Sequence, residues 1–228
     1  MTNKERNMSP LIRVTHVSKQ LKKHHVLTDI NFTVNTGETL GISGPNGSGK
    51  TVLLKTILGF VRPDTGTVIV NGQKIRQDIL FAPHIGFSFG VEGQLDFYTG
   101  KQNLALVAAA ANSSIDQSAL LKLVGLDPTD KRLVKDYSLG MRQRLSVAMA
   151  LVNDEPILIF DEPTNALDKK GQLDLQDLIK ALHKQGRTIL MTSHDERFLQ
   201  SVTDRIVYLN EGRLAQEEDG EKDAETHA

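Results

Sequence analysis

Residues 39–58 read TLGISGPNGSGKTVLLKTIL, and three patterns follow one another within them. TLGIS (39–43) is a short apolar run of the kind buried on both faces of a sheet. GPNGSGKT (44–51) fits G-x-x-x-x-G-K-[ST] in full, and Val52, Leu53, Ile57 and Leu58 then recur at helical spacing. Strand, glycine-rich loop and helix in that order predict an α/β fold and a phosphate cradle. Glycines let successive N–H groups turn inward, the lysine reaches β/γ oxygens, and the hydroxyl after it is a ligand for Mg²⁺. Gly44, Pro45, Asn46, Gly47, Ser48, Gly49, Lys50, Thr51 and the adjoining Val52 are therefore candidate nucleotide-binding residues. Lys50 is also a catalytic candidate and Thr51 a metal ligand.

Working outward, LIRVTHV (11–17) and INFTV (30–34) alternate as half-buried strands do, with a basic loop KQLKKHH (19–25) between them. GTVIVNGQ (66–73) reads as a strand ended by the Asn71-Gly72 turn. Residues 102–152 are expected to be mostly helical, broken at Gly125 and Asp127-Pro128. Then come strand ILIF (157–160), a helix carrying Leu175, Leu178, Ile179 and Leu182 and closed by Gly186, strand TILMTS (188–193), a short helix, and strand RIVYL (205–209). This alternation predicts a parallel sheet covered on both faces. The acidic segment QEEDGEKDAETHA (216–228) is expected to be a disordered tail, as is the polar stretch 1–10.

The 228 residues carry 27 Lys+Arg against 28 Asp+Glu, so nothing in the net charge of −1 favours nucleic acid. Zero cysteines exclude disulfides, zinc-thiolate sites and a cysteine nucleophile. MTNKERNMSP lacks the apolar stretch of a signal peptide, and the longest apolar run, LALVAAAA (104–111), is too short to span a bilayer. The expectation is a soluble protein.

Three further elements point to chemistry. In ILIFDEP (157–163) the two acids fall at the C-terminal end of a buried strand, where open α/β sheets bind ligands. Asp161 suits Mg²⁺, and Glu162 suits orienting or deprotonating an attacking water. His194 follows TILMTS in the same way and is placed to hydrogen-bond a γ-phosphate. In DYSLGMRQRLSVAMALVN (136–153) a polar loop with Ser138 and Gly140 runs straight into a helix, which builds a second anion site from unpaired N–H groups and the helix dipole.

GPNGSGKT, YSLGMRQR, ILIFDEP, NALD (165–168) and TSHD (192–195), in this order and spacing, resemble an ATP-binding-cassette ATPase over residues 11–215. The resemblance implies a P-loop NTPase with a mainly parallel sheet core, an N-terminal antiparallel β-subdomain and an inserted helical subdomain at about 95–150. It implies ATP and Mg²⁺, a cytoplasmic protein peripheral to the membrane through an integral-membrane permease, no nucleic-acid partner, and a head-to-tail dimer with a second copy or a related subunit. In that dimer Ser138 and Gly140 contact the γ-phosphate held by the other chain, which explains two phosphate sites in one sequence, and Asp168 joins the nucleotide contacts. The form YSLGMRQRL is similar to exporters of the bacitracin and lantibiotic resistance type.

The sequence departs from that family in three places. The usual L-S-G-G-Q reads Y-S-L-G-M here, with Leu139 and Met141 substituted. The aromatic expected to stack on adenine is matched by Leu21, with His24 and His25 as substitutes. The glutamine expected to report the γ-phosphate is matched by Gly90, with Glu92 and Gln94 nearby. A second reading of the same motifs is a soluble ATPase of this superfamily acting on nucleic acid or ribosomes. Such relatives carry a coiled-coil insertion, zinc hook or second cassette that this sequence lacks.

Overall fold

The computed structural model describes residues 10–215; the two segments expected to be flexible, 1–9 of the first and all of 216–228, lie outside the described residues. Two sheets organise the chain. The first is antiparallel, in the order β2 (His24–Val34), β1 (Ile12–Leu21), β4 (Thr65–Val70), β5 (Gln73–Lys74). The second runs β10 (Arg213–Leu214), β9 (Arg205–Asn210), β3 (Thr39–Ser43), β8 (Thr188–Ser193), β7 (Ile157–Asp161), β6 (Ile85–Phe89), all parallel except the edge pair β9–β10. Helices α5 (Lys169–Lys184) and α6 (Glu196–Val202) connect strands of this sheet, and α1 (Lys50–Leu58) leads from β3 to β4 of the first sheet. α2 (Gly100–Ala110), α3 (Gln117–Leu123) and α4 (Leu139–Ala150) are inserted between β6 and β7.

Strand β7 shows why the sheet is covered twice. Ile157 and Ile159 pack into the cluster shared with the antiparallel sheet and α1, whereas Leu158 and Phe160 pack among residues of α2 to α6. Side chains alternate across a strand, so an unbroken apolar run supplies both faces.

The basic stretch 19–25 is not a loop. β1 continues to Leu21 and β2 starts at His24, leaving Lys22 and Lys23 as a two-residue turn with φ of 45° and 73°. Positive φ at both positions is the hairpin turn whose twist matches the strands, here made without glycine or asparagine. The expected 102–152 helical region is three helices, interrupted first at Asn112 (φ 53°) and again between Leu123 and Leu139, where Val134–Asp136 forms a 3₁₀ turn. β6 lay unrecognised in IGFSF. Its Gly86 is demanded by packing, because a Cβ there would come within 2.0 Å of the Ala150 carbonyl oxygen.

The registers put four strand ends on one edge. Ser43 pairs with Ser193, and Phe89 with Asp161. The residues that follow these ends are the glycine loop, His194, Gly90 and Glu162. This is the edge at which parallel sheets bind ligands.

Candidate functional site

The cradle is built from backbone constraints. A Cβ on Gly44 would lie 2.0 Å from the Leu209 carbonyl oxygen, and one on Gly49 2.6 Å from that of Val26. Both are at positive φ, 153° and 108°, so neither position admits a side chain. Gly49 caps α1, which leaves the first N–H groups of the helix turned toward the loop. The Lys50 side chain folds back over the loop and is only 6% exposed; its Nζ donates to Gly44 O at 2.6 Å and Pro45 O at 3.1 Å. Ser48 Oγ is buried and has no hydrogen-bond partner among the described residues. Pro45, Asn46 and Gly47 form the exposed crest, and Val52 packs partly buried behind it. An ammonium, unspent N–H groups and an unpartnered buried hydroxyl around one loop fit a polyphosphate.

The acidic pair stands across from this loop. Thr51 Oγ1 donates to Asp161 Oδ2 at 2.6 Å, and Thr192 Oγ1 donates to Asp161 Oδ1 at 2.6 Å while accepting the Glu162 N–H at 2.9 Å. Thr192 thus fixes both acids, although in the sequence it stands only within TILMTS and TSHD, with no role of its own. Glu162 has a left-handed backbone, φ 49°, a strained conformation of the kind that collects at active sites. Its Oε2 accepts from the His194 backbone N–H at 3.3 Å and lies 2.9 Å from His194 Nδ1. Its Oε1 is 3.1 Å from Lys50 Nζ, close enough for charge pairing but not aligned as a hydrogen bond. Lys50, Thr51, Asp161, Glu162 and His194 are therefore one constellation. Among the described residues no group of three or more His, Cys, Asp or Glu is arranged for a metal. Thr51 and Asp161 would offer a cation two oxygen donors and leave its other positions to phosphate and water, a donor set that would fit Mg²⁺.

At the second candidate anion site Ser138 caps α4. Ser138 Oγ accepts the Met141 N–H at 3.2 Å, which leaves its own O–H free to donate. Gly140 packs on the turn before α5: a Cβ there would lie 2.9 Å from the Ala166 carbonyl oxygen. Tyr137 beneath the loop is buried, with the Arg132 guanidinium 5.8 Å from its ring centre. That burial, reinforced by the Asp130 carboxylate, holds its phenol proton on beyond the usual tyrosine range. Leu139 is 58% exposed. Within the described chain no hydrogen bond joins Ser138 or Gly140 to the cradle. Asp168 is occupied locally: its carboxylate accepts the Gly171 N–H at 2.8 Å and caps α5.

Leu21 ends β1 opposite His24 and is 41% exposed; Val26, further along the same hairpin, contacts Gly49. His24 and His25 lie exposed at the start of β2. Gly90 follows β6 at φ 55°, the Glu92 carboxylate lies 3.2 Å from Lys55 Nζ of α1, and Gln94 reaches α4 instead.

The sequence profile of the family described as ABC transporter matches residues 27–165. YybJ, an uncharacterized ABC transporter ATP-binding protein of Bacillus subtilis (strain 168), is 35% identical over 206 residues, 90% of this chain and 94% of that protein. The lantibiotic transport ATP-binding protein SrtF of Streptococcus pyogenes is 32% identical over 218 residues, 94% of each. Among solved structures, the ATP-binding cassette MJ0796, a dimer in a post-hydrolysis state bound to ADP and Pi, is similar at a TM-score of 0.80 and 26% identity, covering 90% of this chain and 97% of that one. Cradle, acidic pair, capped anion loop and these likenesses agree, and the chain belongs to the ABC transporter family as an ATP-hydrolysing cassette.

Proposed function

We propose that this cassette drives a membrane exporter of drugs or antimicrobial peptides, working as a head-to-tail dimer at the inner face of the membrane. The observation that carries the hydrolytic part is the placement of Glu162, held between Lys50 and His194 at the mouth of the cradle. ATP phosphate oxygens drawn to Lys50 compete with Glu162 Oε1 and the Gly44 and Pro45 carbonyls. Glu162, then steered by His194 alone, takes a proton from the attacking water as the new O–P bond forms. The bond from the γ-phosphorus to its bridging oxygen breaks, and the electron pair leaves with ADP. Thr51 and Asp161 are the residues that would hold Mg²⁺, which when bound offsets charge on the phosphate oxygens. The Ser138 O–H and the first N–H groups of α4, being free of the chain's own cradle, suit the phosphate of a partner chain.

The transport part is supported by a groove of about 590 Å³ lined by Phe60, Phe87 and Phe89, by Lys55 of α1, and by Ser146 and Met149 of α4. Phe60 stacks edge-on with Phe87 at 5.3 Å and Phe81 at 5.6 Å, and all three rings are substantially exposed. No described helix is long and apolar enough to cross a membrane. An apolar groove touching both the cradle helix and the signature helix suits a permease segment better than it suits nucleic acid. Export of a peptide draws on the YSLGM signature and on the likeness to SrtF. Phe87→Asp tests the docking: a tagged chain in its native cell should lose its membrane-bound fraction about tenfold, with nucleotide affinity unchanged. Undiminished sedimentation with membranes would contradict a permease in this groove.

At the base, Leu21 packs without π-stacking, so ATP and GTP should bind almost equally. Leu21→Tyr should tighten ATP binding by about fivefold, as expected for roughly 1 kcal/mol of stacking. Equilibrium titration showing no change would place the base elsewhere, against His25 for example.

A further inference from the structure

Position 90 has no side chain with which to read a phosphate, yet the glutamine four residues on is fully engaged. Gln94 Nε2 donates to the Arg142 carbonyl oxygen at 2.6 Å, and Gln94 Oε1 accepts from Arg142 Nε at 3.2 Å. A terminal nitrogen of the same guanidinium meets Asp96 Oδ1 at 2.8 Å. Arg142 lies in the first turn of α4, and its backbone N–H bonds to the Ser138 carbonyl at 3.0 Å. Gln94 therefore grips the helix one turn below the anion loop.

The loop that carries Gln94 is itself fixed. Asn103, 2% exposed, accepts the Leu95 N–H at 2.8 Å and donates to the Leu95 carbonyl at 3.1 Å. Lys135 N–H bonds to the Asp96 carbonyl at 3.0 Å, and Val134 N–H to that of Tyr98 at 2.9 Å. Residues 94–98, the 3₁₀ turn and the start of α4 form one hydrogen-bonded block. Just upstream the attachment changes sides, because Glu92 pairs with Lys55 on the cradle helix. Gly93 joins the two at φ 81°, with nothing within 4 Å of its Cβ position. The Arg142–Asp96 pair is partly exposed and adds little stability. The Gln94 amide, which both donates and accepts, is directional and fixes position.

We propose that Gln94, assisted by Asp96, is a positioning residue for ATP hydrolysis: through Arg142 it sets the Ser138–Gly140 end of α4 in register for the partner chain's site. This rests on the composite-site reading above. It gives the loop after β6 a route to the phosphate chemistry that runs through the signature helix and not through position 90.

The test compares Gln94→Ala and Gln94→Glu in the purified full chain. The readouts are ADP affinity, kcat and KM for ATP, and ATP-driven dimerisation in a Glu162→Gln background. ADP needs only the chain's own cradle, so Gln94→Ala should keep its ADP affinity while kcat falls and the dimer weakens, each about tenfold. Gln94→Glu keeps the acceptor for Arg142 Nε but loses the donor to the Arg142 carbonyl, so it should recover only part of kcat. Arg142→Ala removes the bond to Gln94 Oε1 but keeps the carbonyl that Gln94 Nε2 reaches, so Gln94→Ala should cost less on an Arg142→Ala background than in the unaltered chain. A Gln94→Ala chain with kcat within about twofold of the unaltered protein, or one whose ADP affinity falls as far as its kcat, would overturn the positioning role. If Ser138→Arg abolishes turnover while Gln94→Ala is fully active, only this proposal fails. A fully active Ser138→Arg chain removes the composite site beneath it.

Discussion

Glu162→Gln is expected to lower ATP turnover by about 10²–10⁴-fold while leaving ATP binding intact, the range for losing a general base. The amide keeps the shape of the carboxylate and can still bond to His194, but it cannot take a proton from water. Asp161, the metal candidate, keeps its bonds from Thr51 and Thr192, so the metal site is barely disturbed. The substitution also removes the negative charge 3.1 Å from Lys50, so phosphate oxygens meet less competition there. ATP that binds and is not hydrolysed should then hold two chains together, visible by sedimentation as a dimer that ADP does not support. A Glu162→Gln protein turning over at the unaltered rate would take Glu162 out of the chemistry.

What could be read from the residues alone depended on how local each signal was. The cradle was legible because an apolar run, a glycine loop and a 3.6-residue period adjoin one another in twenty residues, 39–58. Asp161, Glu162 and His194 were legible as polar residues ending apolar strands, and the sheet registers put those ends on one edge. The β1–β2 hairpin was missed because Lys22 and Lys23 carry none of the residue types that usually signal such a turn. β6 was missed because Gly86 reads as punctuation, whereas it is required by the close approach of Ala150. In the sequence Thr192 stands only within TSHD and Gln94 only beside Gly90, and their bonds to residues 31 and 48 positions away are marked by no local pattern. Asp168, carried over from the family as a nucleotide contact, is seen capping its own helix.

Among the described residues the cradle and the Ser138 loop share no hydrogen bond. If each active site takes its cradle from one chain and its signature from the other, the two can be disabled separately. Lys50→Ala removes the ammonium of the cradle. Ser138→Arg removes a helix cap and puts a bulky side chain where phosphate must approach. Each protein alone should be reduced by at least about 10²-fold, since a preorganised charge-stabilising donor is worth that much. In a mixed dimer one site is doubly damaged, and the other has the intact cradle of the Ser138→Arg chain facing the intact signature of the Lys50→Ala chain. The measurement is the ATPase rate of the two inactive proteins before and after mixing in equal amounts. The composite-site account expects activity to reappear on mixing, toward a quarter of the unaltered rate if dimers form at random and sites act independently. A Ser138→Arg protein that hydrolyses ATP at the unaltered rate by itself, before any mixing, would contradict it.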